Sequence, residues 1–538
     1  TADLRTFLAT YHSYNGGATA YVYFVERSHQ LLRPDGRLGL MIPNKFLQSA
    51  QARGLRRFLQ HQSRLLKIID LGDLPHFEAL MPILLFAQNP LSPLSKKHLF
   101  QFAKLEAQGS EALTTVDKLE EAVNQVSVQL DQAQLESSPS GWQLVGPDLG
   151  RLLEKIDRSS LSLKNYCRRV PIRRGVLTGL NQVLIVNQQV RNQLINSDPA
   201  SRKVLRPIVT GSDILPYQIR FRQQYLISLP STDPINHYPA IQAWLKPFQN
   251  RLSQRKERGE NWWSLRSCDY LSLFDEPKII CSDSGAKFTL EPQGYYLSNT
   301  VYFIPKPDYY LLALLNSRLT RTCLRYNCVP NPSGSLRVTK RVLEELPIYR
   351  PSPRSKFTDS SPTEPEAEML NTITQFYYDT AGRQRDLLQF ARQCRTEKRL
   401  EVFPSLLAFL SEKTLKLGQA IEQEVSGFIT WLEREIGCTI NDLRHKTKIQ
   451  HYYLPPEGES ASNRLLQVLK QNPLQINPSA RSFQERLERE LDASLSQLSE
   501  WSQQSKINQD LIDQIIYLFY NLTAYEVDLI QTSDTTSI

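Results

Sequence analysis

The sequence predicts three classes of structure in succession: α/β over residues 1–90, α+β over residues 151–350, and a largely helical region over residues 366–538. Three observations carry this expectation. At the start of the chain, apolar residues alternate between helical spacing and short continuous runs, as in a sheet flanked by helices. The middle breaks into short strand-like runs punctuated by Pro, Asn and Gly turns. The last third is rich in Leu, Glu, Gln, Arg and Lys with almost no glycine, which favours helix.

Taken in order, Ala20–Leu32 has Tyr21, Phe24, Val25, Leu31 and Leu32 on a helical period and stops at Pro34-Asp35-Gly36, a turn tripeptide. Leu38–Ile42 is a short apolar run expected to be a buried strand. A second helix fits Ala50–His61, with Leu55, Phe58 and Leu59 inward and Arg53, Arg56 and Arg57 outward. Leu65–Leu71 and Ile83–Ala87 are two further strand candidates. Residues 91–150 are more polar, end in Ser137-Ser138-Pro139-Ser140-Gly141, and read as a connector. Pro351–Pro365 is rich in Ser, Pro and Thr and reads as a linker. Helical patterns fill 366–455 and 480–530, the last long helix being expected near Asp510–Phe519.

Charge is distributed as unevenly as structure. Residues 151–350 hold 30 Lys and Arg against 15 Asp and Glu, whereas residues 1–150 hold 14 of each. The rest is net acidic. So localised an excess suits a phosphate-binding surface, because releasing the counterions of a duplex drives affinity. Double-stranded DNA is therefore the expected partner. The acidic helical tail favours contact with protein. Apolar runs such as Leu80–Ala87 and Leu311–Leu315 are far too short for a bilayer span, so no membrane partner is expected. Seven cysteines without a C-x-x-C pair point to reduced thiols in a cytoplasm and to no structural metal. No Asp with a following Glu-x-Lys forms a nuclease constellation, and His61 and His76 lack partners at catalytic spacing. The chain starts at Thr1 without methionine, which suggests a fragment or a split chain.

Several segments carry a resemblance. Tyr21–Phe24, Leu31–Gly39 and Ile42-Pro43-Asn44-Lys45-Phe46-Leu47 form a composite that resembles the second half of the catalytic domain in TaqI-type adenine-specific DNA methyltransferases and type IIG restriction–modification enzymes. Arg173–Gly179, Val209–Ile214, Pro277–Ile280, Leu315–Ser317 and Leu346–Ile348 are similar to that family's TaqI-like C-terminal specificity domain. Ile512–Thr523 resembles its closing helix. The joint order is much more specific than any single piece. The resemblance implies that residues 1–90 are the second half of a Rossmann-like methyltransferase sheet and residues 151–350 a target-recognition domain. The reaction implied is methyl transfer from S-adenosylmethionine to the exocyclic amine of a flipped adenine. The chain departs from the family in having neither its glycine-rich cofactor loop nor its Asn/Asp-Pro-Pro-Tyr/Phe motif. Asn89-Pro90-Leu91 and Asn331-Pro332-Ser333 are no substitutes. The cofactor site is therefore expected upstream of Thr1, on the same or a separate catalytic chain, with this chain inactive alone. The alternatives are a non-catalytic specificity subunit and a decayed remnant.

Extracting a base from the stack is offset by an aromatic platform. Leu71-Gly72-Asp73-Leu74-Pro75-His76-Phe77 is similar to the family loop that supplies it, which makes Phe77 the candidate. For DNA contact, the densest stretch is Arg251–Arg266. Its Arg255, Lys256, Arg258 and Arg266 suit phosphates or guanine edges. Trp262 is a candidate stacking indole, weighed against the commoner role of such aromatics, with Trp263, as core anchors. Arg173, Arg174 and Thr178 sit in a run whose Gly175 and Gly179 suggest a loop approaching a ligand closely. Lys287, Arg337, Lys340 and Arg341 complete the set.

Overall fold

The computed structural model describes residues 6–72, 82–94, 97–105, 115–135, 141, 142, 144–168, 170–256, 258–266, 268–330, 336–349, 371–375, 377, 383–454 and 458–535. Phe77 and the 351–365 linker lie outside these residues.

The N-terminal unit runs α1 (Ala20–Gln30), β1 (Arg37–Pro43), α2 (Arg53–Gln62), β2 (Arg64–Asp70), β3 (Pro82–Gln88), β4 (Leu99–Lys104), α3 (Val116–Val126) and β5 (Val128–Asp131). Its sheet has the order β1-β3-β2-β4-β5, with β3 antiparallel to both β1 and β2, and β2 parallel to β4. The turn before β1 needs its composition. Asp35 sits at φ 58°, and a Cβ on Gly36 would lie 2.8 Å from the Arg33 carbonyl oxygen. Backbone bonds between Asp35 and Asn89 (2.8 Å) and between Asn89 and Gly36 (2.9 Å) fasten that turn to the end of β3.

Val22 and Val25 of α1 and Leu55, Phe58 and Leu59 of α2 cover one face of the sheet, against Leu38, Ile42, Leu65, Ile68 and Leu85. The same core takes in Phe100, Phe102 and Trp142, so it reaches well past residue 90 into the stretch read as a connector. Two local expectations are corrected. β1 is an edge strand whose second face is open: Met41 is 51% exposed, because α3 covers that side only further along, around Ile69, Ala103 and Val123. Arg56 is fully buried, its Nη1 donating to the carbonyls of Phe46 (2.7 Å) and Ser49 (2.8 Å). The reason is periodic. Ala52, Leu55, Arg56 and Leu59 fall on one helical stripe, and Arg56 is its only polar member.

In the basic middle, β6 (Arg173–Arg174), β7 (Ile185–Asn187), β8 (Leu205–Val209), β9 (Gln224–Ile227), β10 (Lys278–Ser282), β11 (Phe288–Glu291), β12 (Tyr296–Leu297) and β13 (Val301–Ile304) form two four-stranded sheets. Their orders are β12-β8-β9-β7 and β11-β10-β13-β6. Every residue of β10, β11 and β13 is buried, and all but two are uncharged. The exceptions within that core, Lys278 and Glu291, pair with each other at 2.5 Å. Burial lowers the Lys278 pKa, its carboxylate partner opposing the shift.

Helix α4 (Tyr309–Asn316) is buried on nearly all sides, and α5 (Lys340–Glu345) follows at the surface. Beyond the linker, α6 (Val402–Ile436) and α7 (Arg481–Phe519) pack along each other. Helix α7 starts at Arg481, far upstream of the expected Asp510, since no Gly or Pro interrupts residues 481–519. One core joins Tyr310–Leu315, Phe288 and Ile348 to Leu406, Leu410, Ile512, Ile515 and Phe519. Gly418 permits this closeness, since a Cβ there would overlap the Tyr217 carbonyl oxygen. All seven cysteines are free. Among the described residues no helix is long and apolar enough to cross a membrane.

Candidate DNA-binding surface

Strand β6 places the two adjacent arginines. Tyr302 faces Arg174 and Phe303 faces Arg173 in the antiparallel register. Neighbouring strand residues point to opposite faces. The Arg173 guanidinium carbon accordingly lies 4.8 Å from the centre of the Tyr270 ring, and that of Arg174 5.1 Å from the centre of the Tyr302 ring. Both arginines are thereby held extended by cation–π contact. Arg174 also pairs with Asp283 at 3.1 Å and donates to the Asn299 carbonyl.

Asp283 begins the turn that gathers further cations. Gly285 (φ +83°) and Ala286 (φ +48°) turn the chain, and the Gly285 N–H donates to Leu336 at 2.9 Å. Val338 returns a bond to the Asp283 carbonyl at 2.9 Å, and Ser284 bridges Arg337. The turn thus brings Arg174, Lys287 and Arg337 together from three separate segments. Arg337 is exposed and Lys287 half-buried. The Asp283 carboxylate faces two of them, Arg174 and Arg337. Burial raises the Asp283 pKa, against the lowering effect of Arg174 and Arg337.

The 251–266 stretch divides. Lys256, Arg258 and Arg266 are exposed. Arg255 is not: it is 7% exposed, and its guanidinium donates to the carbonyls of Leu252 (3.0 Å), Thr178 (2.7 Å), Trp262 (3.0 Å) and Ser264 (3.1 Å). Its expected role in touching DNA is corrected to that of an internal clamp, which closes the loop bearing the three exposed cations. Thr178 is buried as well. Its hydroxyl accepts from the Leu180 N–H (3.2 Å) and donates to Asn181. Trp262 and Trp263 are half-buried, edge to face at 5.5 Å, and pack on the core of the β12-β8-β9-β7 sheet.

Gly175 is also explained internally. A Cβ there would overlap the Ser298 and Leu297 carbonyl oxygens, so the close approach is to the chain's own backbone rather than to a ligand. On α5, Lys340 and Arg341 pair with Glu344 (3.7 Å) and Glu345 (3.0 Å) one turn on. Tyr270 escaped the sequence reading. Its hydroxyl donates to the Arg174 carbonyl at 2.9 Å and ties the end of the 251–266 stretch to β6. Nothing in its sequence neighbourhood marks it.

Among the described residues no glycine-rich cradle for S-adenosylmethionine is seen. Strand β1 runs through Pro43-Asn44 into a short helix without a glycine, and a Cβ on Gly72 after β2 would sit 2.7 Å from the Leu105 carbonyl oxygen. Among the described residues no strand of the N-terminal sheet leads through a glycine-rich loop into a helix, so no chemical step is routed through that group here.

Residues 3–77 match the family described as Eco57I restriction-modification methylase, and residues 206–348 the TaqI-like C-terminal specificity domain. Over 379 residues the chain is 20% identical to the type II methyltransferase M.BstVI of Geobacillus stearothermophilus, covering 66% of this chain and 65% of that relative. Over 406 residues it is 22% identical to M.XhoI of Xanthomonas vasicola, covering 72% of each. Among solved structures, the type IIL restriction-modification enzyme MmeI in complex with DNA is 12% identical over 96% of this chain and 55% of its own, with a TM-score of 0.44. The chain therefore carries, in this order, a segment similar to the Eco57I restriction-modification methylase and one similar to the TaqI-like C-terminal specificity domain.

Proposed function

We propose that this chain supplies DNA recognition and part of the catalytic domain of a restriction–modification DNA methyltransferase. It would act on adenine, with S-adenosylmethionine as methyl donor. The observation that supports it most is the group of Arg174, Lys287 and Arg337 around the 283–287 turn, two of them faced by the Asp283 carboxylate and the group lying largely within the stretch similar to a specificity domain. Such a surface takes a polyanion. Exposed Lys256, Arg258 and Arg266 extend it toward Tyr270. Phe77 remains the proposed platform for the flipped base. In an enzyme reconstituted with the cofactor-binding half, Phe77→Ala weakens flipped-base fluorescence and turnover. Unchanged values of both count against that role.

The direct test is a salt titration. The chain binds duplex DNA with an affinity that falls steeply with ionic strength, about 0.9 log units per log unit of salt for each phosphate held. Absent or salt-insensitive binding overturns the reading. A second reading, a specificity subunit serving a separate catalytic chain, draws support from the net acidic charge of the helical tail, which favours contact with protein. The sequence encoded directly upstream separates them: the first reading requires the glycine-rich loop and the Asn-Pro-Pro-Tyr motif in continuity with this chain, the subunit reading requires them on a separate chain.

A further inference from the structure

A cavity of about 500 Å³ lies where the N-terminal unit meets α5, and cations ring it. Arg53 and Arg57, one turn apart on α2, line one side; Arg341 of α5 lines the other, with His12 and Asn15 between them. Arg53 and Arg57 are exposed and no acidic residue lines the cavity among the described residues. Like charges four residues apart on a helix destabilise it, and Arg341 adds a third guanidinium, paired among the described residues with Glu345. Beneath them lies fully buried Arg56. Its Nε and Nη2 find no hydrogen-bond partner among the described residues, while its Nη1 is held by two carbonyls. Burial first, then Arg53 and Arg341, push its pKa down to about 10, with Tyr21 opposing, so Arg56 feels the guanidiniums on both sides of the cavity.

Four guanidiniums converging from parts of the chain nearly three hundred residues apart, with so little counter-charge, are an incomplete arrangement. We propose that this cavity is a phosphate site, in which Arg53, Arg57 and Arg341 hold one backbone phosphodiester of the duplex and so couple the N-terminal unit to the recognition region. The inference rests on the DNA-binding reading above. Through Arg53 and Arg57 it adds a contact from outside the segment similar to a specificity domain, one that carries no sequence information because it reads only phosphate.

The test uses the full chain with Arg53→Gln and Arg57→Gln combined, followed by fluorescence anisotropy on a cognate-like and an unrelated duplex over a range of potassium chloride. The slope of log K against log salt becomes shallower by about 0.9 for each phosphate lost, equally on both duplexes. The melting midpoint stays the same or rises as repulsion is relieved, and Arg53→Lys with Arg57→Lys keeps the slope. An unchanged slope overturns the inference while Lys287 and Arg337 variants still weaken binding. No binding by the unaltered chain overturns both readings. Inorganic phosphate identifies the other source. If it raises the melting midpoint of the unaltered chain and not of the double variant, while duplex affinity is equal in the two, the site serves a free anion and the phosphodiester assignment falls.

Discussion

The 251–266 stretch and the 283–287 turn are both basic, but they are built in opposite ways. In the stretch, cations are close together in sequence, and one of them, Arg255, turns inward to hold four backbone carbonyls. At the turn, Arg174, Lys287 and Arg337 come from three distant segments and converge on one surface. Density along a chain is thus a poor guide to density in space. A guanidinium can be spent as mortar, and the surface field is then made by whichever residues the fold assembles.

Four experiments break or sharpen this contrast. Arg255→Ala has the largest expected effect. It leaves buried carbonyls unsatisfied and costs about 3 kcal/mol or more in chemical denaturation. If stability holds and only DNA affinity falls, the division between clamp and contact is wrong. Gly175→Ala comes next, at about 1–3 kcal/mol, because the new methyl meets the Ser298 carbonyl. A neutral outcome in a thermal melt would return that segment to the pool of flexible ligand loops. Lys287→Ala and Arg337→Ala each weaken duplex binding about tenfold, with a slope change near 0.9 and an unaltered melting midpoint. Should either variant unfold the chain, the turn is structural and the contrast collapses.

The smallest effect concerns Glu422 on α6, which accepts from Gln218 of the recognition region at 3.2 Å. Burial raises its pKa to about 7, against the lowering influence of Gln218 and Arg220. A carboxyl that binds its proton more tightly when folded contributes fully below the ordinary carboxylate range. That contribution is lost as pH climbs through about 7. The melting midpoint therefore falls by a few degrees between pH 5 and pH 8, and Glu422→Gln flattens the profile. An equal pH dependence in the variant assigns the titration elsewhere.

Much of the N-terminal secondary structure was legible, because helices α1 and α2 and strands β1 to β3 each follow from apolar spacing bounded by turn residues. What periodicity does not report is how many faces are covered. Leu38–Ile42 reads as buried, yet Met41 looks outward, since coverage depends on where a helix more than seventy residues away comes to lie. Arg56 was readable in principle: it occupies the apolar stripe, and attention to spacing over residue type would have found it. Arg255 was not, because its burial follows from a loop closing over it. The candidate surface was legible as chemistry and not as geography. Arg174, Lys287 and Arg337 were named, while Tyr270, which ties two of the basic segments together, left no trace in composition.

The core that runs from Phe288 and Tyr310–Leu315 into α6 and α7, with Gly418 seated against Tyr217, has a practical corollary for anyone wishing to retarget such a protein. Residues 151–349 are not a cassette. Transplanted alone, they would expose the apolar flank that the two long helices cover and would aggregate rather than read a new sequence. A chimaera has to carry both parts, cut on the far side of β5 and after α7.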